Sequence, residues 1–156
     1  MDETYSYTYF SIDSNGKIGK SGLESTEEGV FDPDDITKLF GIEPFRKWKK
    51  GDIRNKNSDE EDPRAIYGFS SWSAEKSTVE GLDAGKQCLD TIKNLKDKIP
   101  ELMKIKSLYD VTFNIIIVPY IYNEQAPYIS LGKEIIEFCY LTGTEIDVDM
   151  YFNQEK

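Results

Sequence analysis

The chain has 156 residues, 38% hydrophobic and 13% aromatic, which is enough to bury a core and excludes an intrinsically disordered protein. Its net charge of −10, from 29 acids against 19 bases, sets it against nucleic acid and anionic membranes as partners and leaves a basic protein as the compatible one. Histidine is absent, which removes Ser-His-Asp and Cys-His catalysis and every His-ligated metal site.

The N-terminus, MDETYSYTYF, starts acidic and lacks the basic and apolar regions of a secretory signal, and no apolar run is long enough for a membrane helix. A single domain over residues 1–156 in the cytoplasm is the expectation. Residues 4–13 alternate as a strand, with Tyr5, Tyr7 and Tyr9 on one face and Thr8, Phe10 and Ile12 on the other. Asn15-Gly16 is a two-residue turn signal, expected to lead Lys17–Lys20 back along that strand, and residues 21–29 read as a polar connector.

A short helix over 33–40 is punctuated at both ends. Asp32 is placed to cap it, Pro33 fits its first turn, and Asp34 and Asp35 complement its dipole. Phe31 and Ile36 form a hydrophobic staple across the start, and Gly41 closes the end. Phe45–Lys50 is an extended basic and aromatic segment. Residues 53–64 form an exposed charged loop, and residues 65–75 an aromatic strand in which Gly68 signals a bulge or close approach.

Leu82, Cys88, Leu89, Ile92, Leu95 and Ile99 lie at helical spacing and predict one helix over 82–98, with Pro100 opening another. The run VTFNIIIVPYI within 109–122 is the most apolar strand, with Pro119 expected at its end. A third long helix over 130–142 turns Ile135, Phe138 and Cys139 inward and stops at Gly143. In the final strand, 144–152, Ile146, Val148, Met150 and Phe152 occupy the inward face and Glu145, Asp147, Asp149 and Tyr151 the other. This order predicts an α+β two-layer sandwich: a mainly antiparallel sheet of four or five strands with helices packed on one face.

FDPDDITKLFGIEP, WKKGD, FSSWS, ISL and TGTEIDVDMYF occur in that order from about Tyr9 to Phe152. With Phe31, Asp32, Pro33, Gly41, Ile42, Pro44, Trp48, Gly51, Asp52, Trp72, Ser73, Ile129, Leu131, Asp147 and Asp149 as the matching positions, the chain resembles the bacterial family called domain of unknown function 4279. It departs from the usual pattern in a longer insert over 14–29 and in Gly132, where a serine before proline is common. The resemblance implies a small bacterial protein without an established activity.

Three constellations bear on function. Tyr7, Tyr9, Asp147, Asp149 and Tyr151 share the polar faces of the first and last strands and would suit contact with a basic protein partner, provided those strands share a surface. Arg46, Lys47, Trp48, Lys49 and Lys50 form a second candidate surface, balanced by packing or self-pairing as the plainer reading. The pair Asp147 and Asp149, about 7 Å apart on a strand with Glu145 continuing the row, could act as acid and base or hold a hard cation, against the solvent face of an antiparallel strand as the plainer reading.

Ser70, Ser71 and Ser73 have only Lys76 nearby as a base, and Cys88 and Cys139 sit in apolar helical patterns as core thiols. The leading expectation is a protein-binding module of immunity or inhibitor type, without metal or cofactor. A small-ligand or cation-binding enzyme built on Asp147 and Asp149, and a scaffold-only domain, are the alternatives.

Overall fold

A computed structural model describes residues 3–20, 22–54 and 65–152. Strands β1 (Tyr5–Ser14), β4 (Pro44–Trp48), β5 (Ser71–Ala74), β6 (Val111–Ile121), β7 (Glu145–Val148) and β8 (Tyr151–Phe152) form one six-stranded sheet of order β4-β5-β1-β6-β7, with β8 also on β6. A separate hairpin pairs β2 (Gly16–Gly19) with β3 (Gly22–Ser25). The helices are α1 (Pro33–Phe40), α2 (Ala84–Ile92), α3 (Ile99–Leu108) and α4 (Lys133–Thr142). The fold is α+β, as the element order predicts.

The sheet is mixed, because β7 and β8 both run parallel to β6. Helix α4 supplies the crossover that a parallel connection requires. Strand β1 runs antiparallel to β6: Thr4 Oγ1, at one end, donates to the carbonyl of Tyr122, while Asn15, at the other, hydrogen-bonds Asp110 and Thr112.

The chain divides into two compact units, one of Met1–Ser11, Ala74–Ile99 and Phe113–Lys156, the other of Ile12–Ser73 and Pro100–Thr112. In the first, Phe10 packs on Phe113 at 5.6 Å and edge-on to Phe138 of α4 at 6.2 Å between ring centres. Cys88, Ile92, Ile115, Ile117 and Ile135 are buried with them. Helix α2 meets the same side of β1 through polar groups. The Gln87 amide donates to the carbonyls of Ser6, Val79 and Gly81 and accepts from Ser6 Oγ at 2.6 Å, and Thr8 bonds Thr91 at 2.6 Å. All four side chains are buried and each is satisfied, as a polar seam inside a core requires.

In the second unit, Trp72 is fully buried, edge-on to Phe40 at 5.3 Å, and its indole N–H donates to Thr37 Oγ1 at 3.0 Å. Helix α1 is bounded as its sequence dictates: the Asp32 carboxylate accepts from Asp34 N at 2.9 Å, and Gly41 takes the left-handed conformation with φ 68°. Phe31 and Ile36 of the staple are both buried. At Gly68 a Cβ would stand 2.3 Å from the Leu23 carbonyl, and Ser25 N donates to the Gly68 carbonyl at 2.8 Å, so the glycine marks a close approach.

Five expectations are corrected. The segment after Asn15 pairs with β3 instead of folding back along β1, because the turn that matters is at Lys20, between Gly19 and Gly22. The polar connector therefore contains β3 and a 3-10 turn over Glu27–Gly29. The helix expected over 82–98 ends at Ile92: Leu95 N and Lys98 N bond the carbonyls three residues back, so the chain tightens into 3-10 geometry before Pro100.

Pro119 lies inside β6, and the last strand is split into β7 and β8 opposite it. The register places Pro119 beside Met150, where its missing N–H interrupts the ladder. Of the charged loop, Ile53 bridges Ile66 and Arg54 N donates to the Ala65 carbonyl, while residues 55–64 lie outside the described residues.

Candidate functional site

Alternation along β1 puts Tyr5, Tyr7 and Tyr9 on the face opposite Ser6, Thr8 and Phe10. Strand β6, between β1 and β7, brings Tyr120 to that same face, and β8 brings Tyr151. Tyr120 is the centre of the group. Its ring stacks on Tyr5 at 4.8 Å and 10°, on Tyr151 at 4.8 Å and 13°, and more loosely on Tyr7 at 6.4 Å. Tyr122 extends the row beyond Tyr5, and Tyr9 extends it beyond Tyr7.

The row therefore joins rings from β1, β6 and β8 although the first and last strands are not neighbours. Tyr5 and Tyr151 are exposed, Tyr7, Tyr120 and Tyr122 half-buried, and Tyr9 buried. Tyr9 thus ends the row beyond Tyr7 and offers little contact area, a correction to its expected exposure. The ammonium of Lys76 lies 4.4 Å from the Tyr7 ring centre, a cation–π contact.

Carboxylates border the row. The parallel register aligns Glu145 with Asn114, Asp147 with Ile116 and Tyr151 with Tyr120, so Glu145 and Asp147 share the tyrosine face. Tyr151 donates its hydroxyl to Asp149 Oδ2 at 2.9 Å. That bond and the Asp149 charge raise the Tyr151 pKa. Burial, reinforced by Tyr120 and Tyr9, pushes the Tyr7 hydroxyl up to about 12. Burial likewise raises Tyr5. These hydroxyls stay protonated donors across the physiological range.

The second candidate surface lies in the other unit. Trp48 stacks on Tyr67 at 4.1 Å and meets Phe69 edge-on at 5.5 Å. Arg46 lies 5.4 Å from the Trp48 ring centre, and Arg54 lies 4.6 Å from that of Tyr67. Lys47 pairs with Asp34, the backbone N–H of Lys49 donates to Asp52, and that of Lys50 donates to Ser70. The segment is engaged with its own unit in large part, although the Trp48 indole N–H is buried without a hydrogen-bond partner among the described residues.

The serines and the Cys88 thiol are otherwise occupied. Ser70, Ser71 and Ser73 are buried; Ser71 donates to Asp13, and Ser70 Oγ accepts from the N–H groups of Phe31 and Lys50. Burial pushes the Cys88 thiol up to about 12, away from thiolate chemistry.

Tyr5, Tyr120 and Tyr122 are the members of the row that pattern reading did not assign to the site. Tyr5 shares the alternation of Tyr7 and Tyr9. Tyr120 and Tyr122 alternate around Ile121, but joining them to the site needs the strand order.

A comparison with protein families matches residues 6–153 to the family described as Domain of unknown function (DUF4279). The chain belongs to this family. Searches of curated proteins and of solved structures found no match. Family membership assigns no activity, and the chemistry of the tyrosine row is argued from its geometry.

Proposed function

We propose that this chain is a protein-binding module, of immunity or inhibitor type, that presents Tyr5, Tyr7, Tyr120, Tyr151, Asp147 and Asp149 to a basic protein partner. The observation that carries this reading is the stacked tyrosine row flanked by carboxylates on one sheet face. Stacking holds the rings before a partner arrives, so little rotamer freedom is left to lose on binding. The hydroxyls supply donors, and the carboxylates, within a net charge of −10, draw in a cationic surface.

The test is capture from the native host with the tagged full chain and with Asp147→Lys/Asp149→Lys. The reading expects a partner with a basic surface to be retained by the native chain and lost from the variant, whose melting curve stays cooperative. Equal capture by the folded variant would contradict it and direct attention to Arg46–Lys50. A toxin-like reading frame beside the gene would support the immunity form.

A further inference from the structure

Strand β7 ends the sheet, with β6 on one side and no strand on the other among the described residues. Asp149 N donates to the Ile117 carbonyl at 2.8 Å, and the register pairs Ile117 with Val148. In a parallel ladder this puts the N–H and C=O of Asp147 toward β6 and those of Ile146 and Val148 outward. The edge therefore offers outward donors and acceptors at Ile146 and Val148. Its side chains are sorted by face: Glu145 and Asp147 with the tyrosines, Ile146 and Val148 with Ile117.

The apolar side was expected to be core, yet Val148 is 43%, Met150 48% and Phe152 68% exposed. Glu145–Val148 carries no lysine or proline to blunt this edge; its protection is its four-residue length and the negative charges of Glu145 and Asp147, which a cationic strand would neutralise.

We infer that β7 is an augmentation edge, which accepts one strand of the basic partner with lysine or arginine on alternate residues and apolar side chains between them. This deepens the proposed protein-binding role and rests on it. The added strand would match cations to Glu145 and Asp147, cover Ile146 and Val148 with apolar side chains, and take up their outward backbone groups. A second copy of this chain fits poorly. An antiparallel β7 pair that kept the faces would set acid against acid, and one that swapped them would set acid beside apolar residues.

The experiment measures fluorescence anisotropy of a labelled heptapeptide of alternating lysine and valine against the full chain at low ionic strength. Three comparisons accompany it: the same peptide N-methylated on alternate residues, a glutamate–valine peptide, and the Val148→Pro chain. Saturable binding is expected for the lysine–valine peptide alone, weakened at least tenfold by N-methylation, by charge inversion and by Val148→Pro. Val148→Pro removes an outward donor and leaves the β6 ladder intact, and the N-methylated peptide tests the same bond on the unaltered protein.

Equal affinity for the N-methylated and parent peptides, or no saturable binding, overturns the inference. A concentration-dependent dimer of the native chain in sedimentation that Val148→Pro abolishes also overturns it, in favour of self-pairing. Tyr7→Ser, on the face and off the edge, separates the two proposals. Loss of host-partner capture in Tyr7→Ser without peptide binding at the edge keeps the face reading and rejects augmentation. Edge binding of the peptide with host-partner capture unchanged by Tyr7→Ser does the reverse.

Discussion

Tyr120→Ala removes the ring on which the row depends. Two close stacks, on Tyr5 and Tyr151 at 4.8 Å, are lost together with the looser contact to Tyr7. Aromatic pairs contribute about 0.5–1.5 kcal/mol each beyond area burial, so the two stacks account for about 2 kcal/mol. Withdrawing a half-buried ring adds about 1 kcal/mol. The expected loss of about 3 kcal/mol corresponds to a fall of roughly 6–12 °C in Tm for a chain of this size. Thermal and urea unfolding measure it, with Tyr120→Phe as the control that keeps the ring and stays close to the native value. A Tyr5→Ala/Tyr120→Ala cycle should return a coupling of about 1 kcal/mol. A Tyr120→Ala cost near the roughly 0.5 kcal/mol of an ordinary surface change, or no coupling to Tyr5, would refute the view that the row is a packed unit.

Asp32→Ala deletes the cap that accepts from Asp34 N and should cost about 1 kcal/mol in urea unfolding; an unchanged midpoint would contradict the capping role. Gln87→Leu strands the partners of a buried amide, Ser6 Oγ among them, and should cost about 2–4 kcal/mol with an unchanged m-value, whereas a neutral result would mean that the seam contributes nothing net. The Tyr7 hydroxyl, raised from 10.0 to about 12, binds its proton more tightly when folded, so stability present below pH 10 is lost as pH rises toward 12. Ultraviolet titration should show Tyr5, Tyr7 and Tyr151 ionising late, with Tyr7 in the latest phase, and Tyr7→Phe should remove that latest phase; its persistence would assign it elsewhere.

Features that depend on local backbone chemistry were legible in the sequence. Asp32, Pro33 and Gly41 bound α1 because capping, a fixed φ and a left-handed terminus are decided within a few residues. Gly143 closes α4 for the same reason, with φ 69°. Alternation likewise assigned Tyr5, Tyr7 and Tyr9 to one face and Asp147 and Tyr151 to theirs. Strand order was not legible, because nothing local says that β6 separates β1 from β7 or that Tyr120 joins the two faces. Polarity misled at the ends of the sheet. Val148, Met150 and Phe152 alternate as a core face does, but they lie at the end of β7, in the break after it and in β8, where the described residues leave them exposed. The β2–β3 hairpin escaped notice because Gly16, Gly19 and Gly22 occupy strand positions without alternating side chains.

The most direct test of the central claim is the association rate between the chain and its captured basic partner, followed from low to high ionic strength for the native protein and for Asp147→Lys/Asp149→Lys. The account predicts that the native rate falls steeply with salt, and that the variant associates at least tenfold more slowly at low salt with a nearly flat dependence. Superimposable salt profiles for the native protein and the folded variant would contradict it.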